Sequence, residues 1–543
     1  MKLIKVNKWL HSERVWIIGC AILLFLLSYA PIIQSFQRTP NGLWYWGAEE
    51  YPIDLTENLS TVRQGYNGHW LSTGNISTMI PDAPSILKIE YLLIGHAARL
   101  CHIDPTFMFF LARFLLSICY LTVVYLILRA VFESKRDRVI AWLLVLFAGS
   151  IMRPEDYNGF YYKATVDVLI TYRLLLAMPH YLIGNIAALV SLFFLAKAID
   201  KPFKNKSFVI SVIFGLISSL EYAPTMVLIL GSLLLYILFQ LITRKKIKSF
   251  GVMFAYGIIT MVPIWYVRWV TISEWDVYRA ISHMEKLNPF TVSFGEYLMD
   301  LGPVYFLALI GLPRIFAERK TLPTLLGAWI LMHPVGVFIL SPILQLNPIR
   351  FLLTPYFIVF GILAVYGIQQ IVLWIPSRWK SFVACFVVFI VFATCAISYQ
   401  ANYNRTHLCF CMQPNFTFAY PTNAEMGGIW WLRDNSKENE VVLSLYYAGN
   451  LIPAFAGNRV YTSWWFWLSN DQNIWQTMAP TMAFYKGDLS TFEAQQFIRQ
   501  AHISYIFWGE EERALAPQLS NLPYNFLHKV SDQNNVVVYK VIY

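Results

Sequence analysis

Long apolar stretches recur along this sequence from residue 15 to residue 398, and short basic segments separate many of them. An α-helix needs about 20 mainly apolar residues to cross the hydrocarbon core of a bilayer. Hydrophobic residues make up 57% of the 543 residues and charged residues only 14%, so a soluble chain would lack the polar side chains to cover its surface. The sequence therefore predicts an α-helical polytopic membrane protein.

The basic residues predict how the chain is oriented. The formal net charge is +10, but Lys and Arg cluster in short segments between apolar runs, as in Arg244-Lys-Lys246. The positive-inside rule places such segments in the cytoplasm. We therefore interpret the excess charge as a sign of topology, and we expect no nucleic-acid partner. Basic residues before the first run place the N-terminus in the cytoplasm, and we expect the chain to lie in a bacterial cytoplasmic (inner) membrane.

About eleven transmembrane helices satisfy this alternation of apolar runs and basic segments. The predicted spans are residues 15–33, 106–132, 139–152, 174–198, 208–220, 223–242, 250–272, 297–316, 322–343, 351–374 and 382–398. The segment Ser85–Cys101 is short and contains Lys88, and a crossing there would put the basic segment Glu133–Arg138 outside. We predict instead an amphipathic helix on the outer membrane surface.

An odd number of crossings places residues 401–543 outside the membrane. Short apolar runs at 441–445, 503–507 and 536–541 predict strands, and residues 424–435 and 491–501 predict helices. This alternation indicates a small C-terminal extracytoplasmic α/β domain. The predicted domains are thus a transmembrane domain, residues 1–400, with outer loops at 35–105, 153–173, 273–296 and 344–350, and an outer domain, residues 401–543.

The first outer loop is rich in carboxylates in a chain that is otherwise poor in charge. Glu49, Glu50, Asp54 and Glu57 lie within residues 44–75. Acidic groups beside a bilayer are costly and are usually functional. Asp54 and Glu57 are three residues apart in a segment that reads as a helix ended by Gly65 or Gly68, and we predict both as catalytic residues. An equally open interpretation is that Asp54 caps the start of that helix.

Three other outer loops carry candidate binding residues. Glu155 and Asp156 are hard oxygen ligands that could hold Mg²⁺ or Mn²⁺, although a solvated turn explains them as well. Lys163 in the same loop is a candidate for substrate binding. Arg350 is a cation on the outer side, where a guanidinium suits a lipid phosphate; the alternative is that it snorkels to the headgroups. His180 could hydrogen-bond a substrate or a neighbouring helix.

The first loop resembles a known superfamily. Asp54, followed by Arg63-Gln64 and Gly68-His-Trp70, after one N-terminal span and before an amphipathic segment, is similar to the first outer loop of the C-type glycosyltransferases. These are polytopic enzymes that take a sugar from a polyprenyl-phosphate donor, and they include the protein O-mannosyltransferases, the lipid A aminoarabinose transferases and the oligosaccharyltransferases. The resemblance implies that Asp54 is the catalytic base and that Glu155-Asp156 holds the place of an acidic pair that some members use for metal.

Two features depart from that pattern. The usual Asp-Glu pair is here Asp54-Leu55, so the second carboxylate would be Glu57 or would come from elsewhere. Ser463-Trp-Trp-Phe-Trp467 lacks the Asp of the Trp-Trp-Asp motif of oligosaccharyltransferases, so recognition of a peptide sequon is not supported.

The resemblance implies an inverting transfer of a sugar from a polyprenyl-phosphate donor to a lipid, glycan or protein acceptor. Asp54 would accept the proton of the acceptor hydroxyl, and Arg63, His180, Arg350 and Lys163 would bind the substrate. Two other classes stay open. A transporter or flippase of lipid-linked substrates would need charged groups near the bilayer midplane, and Glu221 is predicted at an outer turn instead. A non-catalytic membrane scaffold would make the acidic loop incidental.

Overall fold

The computed structural model describes residues 13–48, 52–73, 77–78, 84–150, 175–201, 205–243, 249–272, 292–408, 418–463 and 474–542. Its contacts divide the chain into two compact units. We call the first, Met1–Pro31, Arg113–Arg268 and Asn288–Arg405, the helical unit. We call the second, Ile32–Ala112, Trp269–Leu287 and Thr406–Tyr543, the mixed unit.

The apolar part of the chain is helical, as predicted. Its helices are α1 (Glu13–Gln37), α2 (Pro52–Asn67), α3 (Ile89–Cys101), α4 (Pro105–Val131), α5 (Lys135–Leu146), α6 (Pro179–Asp200), α7 (Asn205–Glu221), α8 (Ala223–Ile242), α9 (Phe250–Ile272), α10 (Phe294–Glu318), α11 (Thr321–Val335), α12 (Tyr356–Trp374) and α13 (Lys380–Leu408). A π-helical turn, Gly336–Leu340, and a short helix, Ser341–Leu344, continue α11, and Ile349–Leu352 forms a further short helix.

Within the described residues, nine helices are long and apolar enough to cross a membrane. They are α1, α4, α6, α8, α9, α10, the continuous stretch Thr321–Leu344, α12 and the stretch Ser377–Ile397. The chain is therefore an integral membrane protein. The predicted spans 139–152 and 208–220 coincide with α5, which has 12 residues, and with α7, which has 17. A total of about eleven crossings thus stays a prediction.

Two predicted spans begin as helices later than predicted, and a proline lies at each observed start. The span predicted from residue 174 begins as a helix at Pro179, which occupies the first helical position where its missing N–H costs nothing. The span predicted from residue 351 begins at Tyr356, directly after Pro355. A proline disfavours helical geometry in the residue before it, so the chain at residue 354 cannot continue smoothly into the long helix.

Close helix packing in the helical unit depends on glycine. A Cβ atom added at Gly367 of α12 would lie 1.8 Å from the carbonyl oxygen of Leu307 in α10. One added at Gly311 of α10 would lie 2.8 Å from the backbone nitrogen of Gly367. Small residues allow backbones to approach this closely, as is common between helices in membranes.

The C-terminal part of the mixed unit is a sheet with helices. The helices are α14 (Asn423–Asn435), α15 (Tyr446–Phe455), α16 (Ile474–Lys486), α17 (Thr491–Gln500) and α18 (Glu510–Leu515). The strands are β1 (Val441–Leu443), β2 (Ile503–Trp508), β3 (Leu527–Gln533) and β4 (Val536–Val541), in the order β1-β2-β4-β3. β1 and β2 are parallel, and the other pairs are antiparallel. The predicted fold class, a helical membrane protein with a small C-terminal α/β domain, is confirmed.

The first loop forms two helices of the mixed unit. The predicted amphipathic segment is the helix α3, and it packs on α2 through two glycines. A Cβ atom at Gly65 of α2 would lie 2.2 Å from the carbonyl oxygen of Leu92, and one at Gly95 of α3 would lie 2.0 Å from that of Val62. Backbone therefore touches backbone where the two helices cross.

Candidate functional site

Asp54 lies in the first turn of α2, which begins at Pro52. Asp54 is therefore a residue of the first helical turn and not the residue that directly precedes the helix. A proline at the first helical position fixes the backbone for this early start. The half-buried carboxylate of Asp54 still lies at the amide end of the helix, where the helix dipole favours negative charge. The predicted end of the helix is confirmed at Gly68, which has a φ of +109° and follows Asn67.

Glu57, one turn after Asp54, forms an ion pair with Lys88. Both side chains are largely buried, with exposed fractions of 14% for Glu57 and 16% for Lys88. Lys88 has a φ of +63° and directly precedes α3. The pair therefore ties the first turns of α2 to the start of α3, and it gives Glu57 a cationic partner within the fold.

Arg63 lies on the same helix but is almost fully buried. Its side chain is 6% exposed, and its Nη2 atom donates a hydrogen bond of 3.0 Å to the carbonyl oxygen of Phe455 at the end of α15. Burial lowers the pKa of the Arg63 guanidinium from its ordinary value. This predicted substrate-binding residue is therefore packed inside the mixed unit.

His180 and Arg350 belong to one group of contacts in the helical unit. The ring of His180 lies 4.1 Å from that of Tyr181, and the ring of Tyr181 lies 5.2 Å from that of Tyr222, measured between centroids. The Tyr222 hydroxyl donates a hydrogen bond of 2.6 Å to the carbonyl oxygen of Arg350. We call these four residues, His180, Tyr181, Tyr222 and Arg350, the tyrosine cluster.

Two helices begin at the tyrosine cluster. α6 starts at Pro179 and α8 starts at Ala223, and neither start has a hydrogen bond from the side chain of its capping residue, Met178 or Tyr222. The first turn of a helix carries N–H groups without helical partners and a partial positive charge. Such starts favour an anion, so the cluster joins the His180 imidazole to two helix starts suited to phosphate, and Arg350 joins it through its backbone carbonyl.

The sequence pattern did not identify Tyr181 and Tyr222. The signal that could have found them is proline, because Pro179 and Pro224 both mark helix starts. Glu221 is the last residue of α7, so it lies at a turn between helices, and the outer location of that turn stays a prediction.

The remaining predicted site residues, Glu155, Asp156 and Lys163, lie outside the described residues, and so does Trp464–Trp467. Within the part of the chain that the structure describes, no group of three or more His, Cys, Asp or Glu residues could hold a metal ion.

No family model matches this sequence, and no curated protein matches it. The fold, however, is similar to solved structures. Oligosaccharyltransferase AglB from Archaeoglobus fulgidus, in complex with an inhibitory peptide and a dolichol-phosphate, is 12% identical, with a TM-score of 0.53 over 91% of this chain and 69% of that chain.

Two further structures give the same result. The Archaeoglobus fulgidus oligosaccharyltransferase in complex with Zn and sulfate is 13% identical, with a TM-score of 0.51 over 96% of this chain and 73% of that one. ArnT from Cupriavidus metallidurans, bound to undecaprenyl phosphate, is 11% identical, with a TM-score of 0.50 over 97% of this chain and 98% of that one. Identities this low establish architecture alone. The chain has the fold of the C-type polytopic membrane glycosyltransferases, as the first loop implied.

Proposed function

We propose that the protein is an inverting glycosyltransferase that moves a sugar from a polyprenyl-phosphate donor to a lipid, glycan or protein hydroxyl. The observation that carries the proposal is the likeness of fold, over 97% of this chain and 98% of the other, to an ArnT structure bound to undecaprenyl phosphate. The AglB structure of similar fold holds a dolichol-phosphate. Both ligands are polyprenyl phosphates, the lipid part of the donor class that the resemblance of the first loop implies.

We assign the donor phosphate to the tyrosine cluster. Arg350 would supply a guanidinium, whose planar fork matches two phosphate oxygens. His180 would supply a hydrogen bond from the first turn of α6. The starts of α6 and α8 would add the partial positive charge of two helix dipoles. Lys163, in the second loop, would be a further cation for the same phosphate.

We assign the catalytic base to Asp54. Its carboxylate would accept the proton of the acceptor hydroxyl as that oxygen attacks the anomeric carbon. The bond from the anomeric carbon to the phosphate oxygen would break, and the lipid phosphate would leave with the electron pair. One displacement inverts the anomeric configuration. Glu57, whose charge is already matched by Lys88, would act as the second carboxylate by fixing the turn that carries Asp54.

A divalent cation, Mg²⁺ or Mn²⁺, would be held by Glu155 and Asp156, whose carboxylates are the hard oxygen ligands that these ions prefer. When bound, it would supply positive charge for the leaving phosphate. We place the reaction on the outer face of a bacterial cytoplasmic membrane, with the N-terminus in the cytoplasm and residues 401–543 outside.

The test is transfer from radiolabelled polyprenyl-phosphate sugars to a membrane extract by purified protein. We expect Asp54→Asn to lower the rate by about 10²–10⁴-fold, the range typical of a lost general base. Asp532→Asn, which removes a carboxylate from an exposed ion pair on β3, should transfer at the wild-type rate. Asp54→Asn at the wild-type rate would refute the assignment of the base. A product with retained configuration would refute the single displacement.

Absence of transfer by folded wild-type protein, with several donors tried, would refute the glycosyltransferase and favour the transporter or the scaffold. Chelation with EDTA tests the metal separately. If Glu155 and Asp156 hold a required cation, the rate should fall and should return on addition of Mg²⁺ or Mn²⁺.

A further inference from the structure

Arg63 is a buried cation whose position needs an explanation. Its side chain is 6% exposed, and its Nε atom has no hydrogen-bond partner among the described residues. Burying a charge is costly unless the contacts it makes offset the loss of hydration. The hydrogen bond that the guanidinium makes joins α2 to the carbonyl end of α15, where Nη2 lies 3.0 Å from the oxygen of Phe455.

Phe455 is held by the first loop on several sides. The rings of Trp44 and Trp46 each lie 5.5 Å from the Phe455 ring, measured between centroids. The Trp46 indole Nε1 also donates a hydrogen bond of 2.7 Å to the carbonyl oxygen of Phe418. The first loop therefore grips the end of α15 through two aromatic rings and one cation.

Gly457 makes room for the Arg63 side chain. Its φ is +94°, a conformation that favours glycine, and a Cβ atom there would lie 3.0 Å from Cγ of Arg63. The chain thus leaves α15 in the geometry that lets the arginine stem pass beside it.

The opposite end of α15 is bound by carboxylates from α18, which follows β2. Glu512 accepts a hydrogen bond of 2.6 Å from the backbone N–H of Leu445, and Glu511 accepts one of 2.7 Å from that of Tyr447. The Glu511 and Glu512 side chains satisfy two backbone N–H groups at the amide end, and the cation at the carbonyl end matches the dipole of α15. The helix therefore connects the sheet, through α18, to the helix that carries Asp54.

We propose that Arg63 is a positioning residue: it fixes α2 against α15, and through α15 the C-terminal sheet sets the position of Asp54. The inference rests on the proposed function only for the role of Asp54. The contact itself is independent of any reaction, because it joins two helices of the mixed unit.

Hydrogen–deuterium exchange on the full-length protein tests the positioning. Arg63→Met removes the charge but keeps much of the volume, and Lys529→Met removes a charge from an exposed pair on β3 as a matched control. We expect Arg63→Met to speed exchange in α2 and in the last turn of α15, while β2 and β4 stay at the wild-type rate. Lys529→Met should change none of these segments, and Arg63→Lys should restore part of the protection.

Kinetics with a donor that the wild type uses give the second readout. A small misplacement of a catalytic group can cost up to about 10²-fold in rate, so kcat of Arg63→Met should fall by about 10–100-fold. The KM for the donor should stay within about twofold of the wild-type value, because the tyrosine cluster is untouched. The acid limb of the pH–rate profile should shift to a different pH, because the surroundings of Asp54 change.

Two outcomes would overturn the proposal. Equal acceleration of exchange in α2, β2 and β4 would mean that Arg63 only stabilises the mixed unit. Unchanged exchange in α2 would mean that its contact with Phe455 does not position the helix. Lack of transfer by the wild type would refute the proposed function instead, and the exchange experiment would still decide the role of Arg63.

Discussion

Replacing Gly65 with alanine should force α2 and α3 apart. A Cβ atom at this position would lie 2.2 Å from the carbonyl oxygen of Leu92, 2.7 Å from its Cα and 2.8 Å from its carbonyl carbon. All three atoms are backbone, so no flexible side chain can move out of the way. The reciprocal clash occurs at Gly95, where an added Cβ atom would lie 2.0 Å from the carbonyl oxygen of Val62.

The expected cost follows from these distances. A carbon and a carbonyl oxygen in favourable contact lie about 3.3–3.6 Å apart, so the helices must separate by about 1 Å. Overpacking of this kind costs typically about 1–3 kcal/mol, and a clash between backbones belongs at the upper end. Alanine in a helix regains about 1 kcal/mol over glycine. The net destabilisation should therefore be about 2 kcal/mol, which lowers Tm by roughly 4–8 °C for a unit of 150–250 residues.

Thermal unfolding in detergent, followed by tryptophan fluorescence, measures this effect. Gly19→Ala is the matched control, since Gly19 lies inside α1 and a Cβ there meets nothing within 4 Å. It should melt at or slightly above the wild-type temperature. Gly65→Ala and Gly95→Ala should each melt lower, and their combination should cost less than the sum because both disrupt the same helix crossing. A Gly65→Ala variant as stable as Gly19→Ala would refute the close crossing.

Two further predictions concern the two units separately. Burial raises the pKa of Glu512 to about 8 from an ordinary value of 4.5, so the folded chain holds a proton that the unfolded chain releases, and stability should fall as pH rises from about 5 to about 8. Glu512→Gln should flatten this dependence of Tm on pH, and an unchanged slope would count against Glu512 as its source. Tyr222→Phe removes the hydrogen bond to the Arg350 carbonyl, which should cost about 1 kcal/mol of stability. The variant should raise the donor KM more than it lowers kcat. An unchanged KM would exclude a role of Tyr222 in holding Arg350.

The sequence predicted the spanning helices well because the signal for them is local. A run of about 20 apolar residues satisfies its own backbone hydrogen bonds as a helix wherever its neighbours lie. The strands at β1, β2 and β4 were found for a similar reason, since each is a short β-branched or aromatic run. β3 was missed: Leu527–Gln533 has only two apolar residues and lies at the edge of the sheet, mostly exposed.

The packing of the first loop could not be predicted. Arg63 and Phe455 are 392 residues apart, and no periodicity in either segment indicates the other. α15 was also missed, because Tyr446–Phe455 contains Pro453 and is too short to show a clear helical period. Nothing in the sequence distinguishes the closely packed glycines Gly65 and Gly95 from ordinary turn glycines. The contacts that distinguish them arise only after folding.

The chemistry of Asp54 can be read from the local sequence, whereas its position depends on distant parts of the chain. Its chemistry is local: a carboxylate early in the first loop can be recognised from the sequence as a candidate base. Its position is not local, because α2 is fixed on one side by the glycine crossing with α3 and on the other by α15, which in turn depends on Glu511 and Glu512. Substitutions that leave every acidic residue of the loop intact should therefore still lower activity if they shift α2. A rate lost on mutation within the C-terminal sheet would then indicate a displaced base, and exchange in α2 would distinguish this from a direct role of the sheet in binding the acceptor.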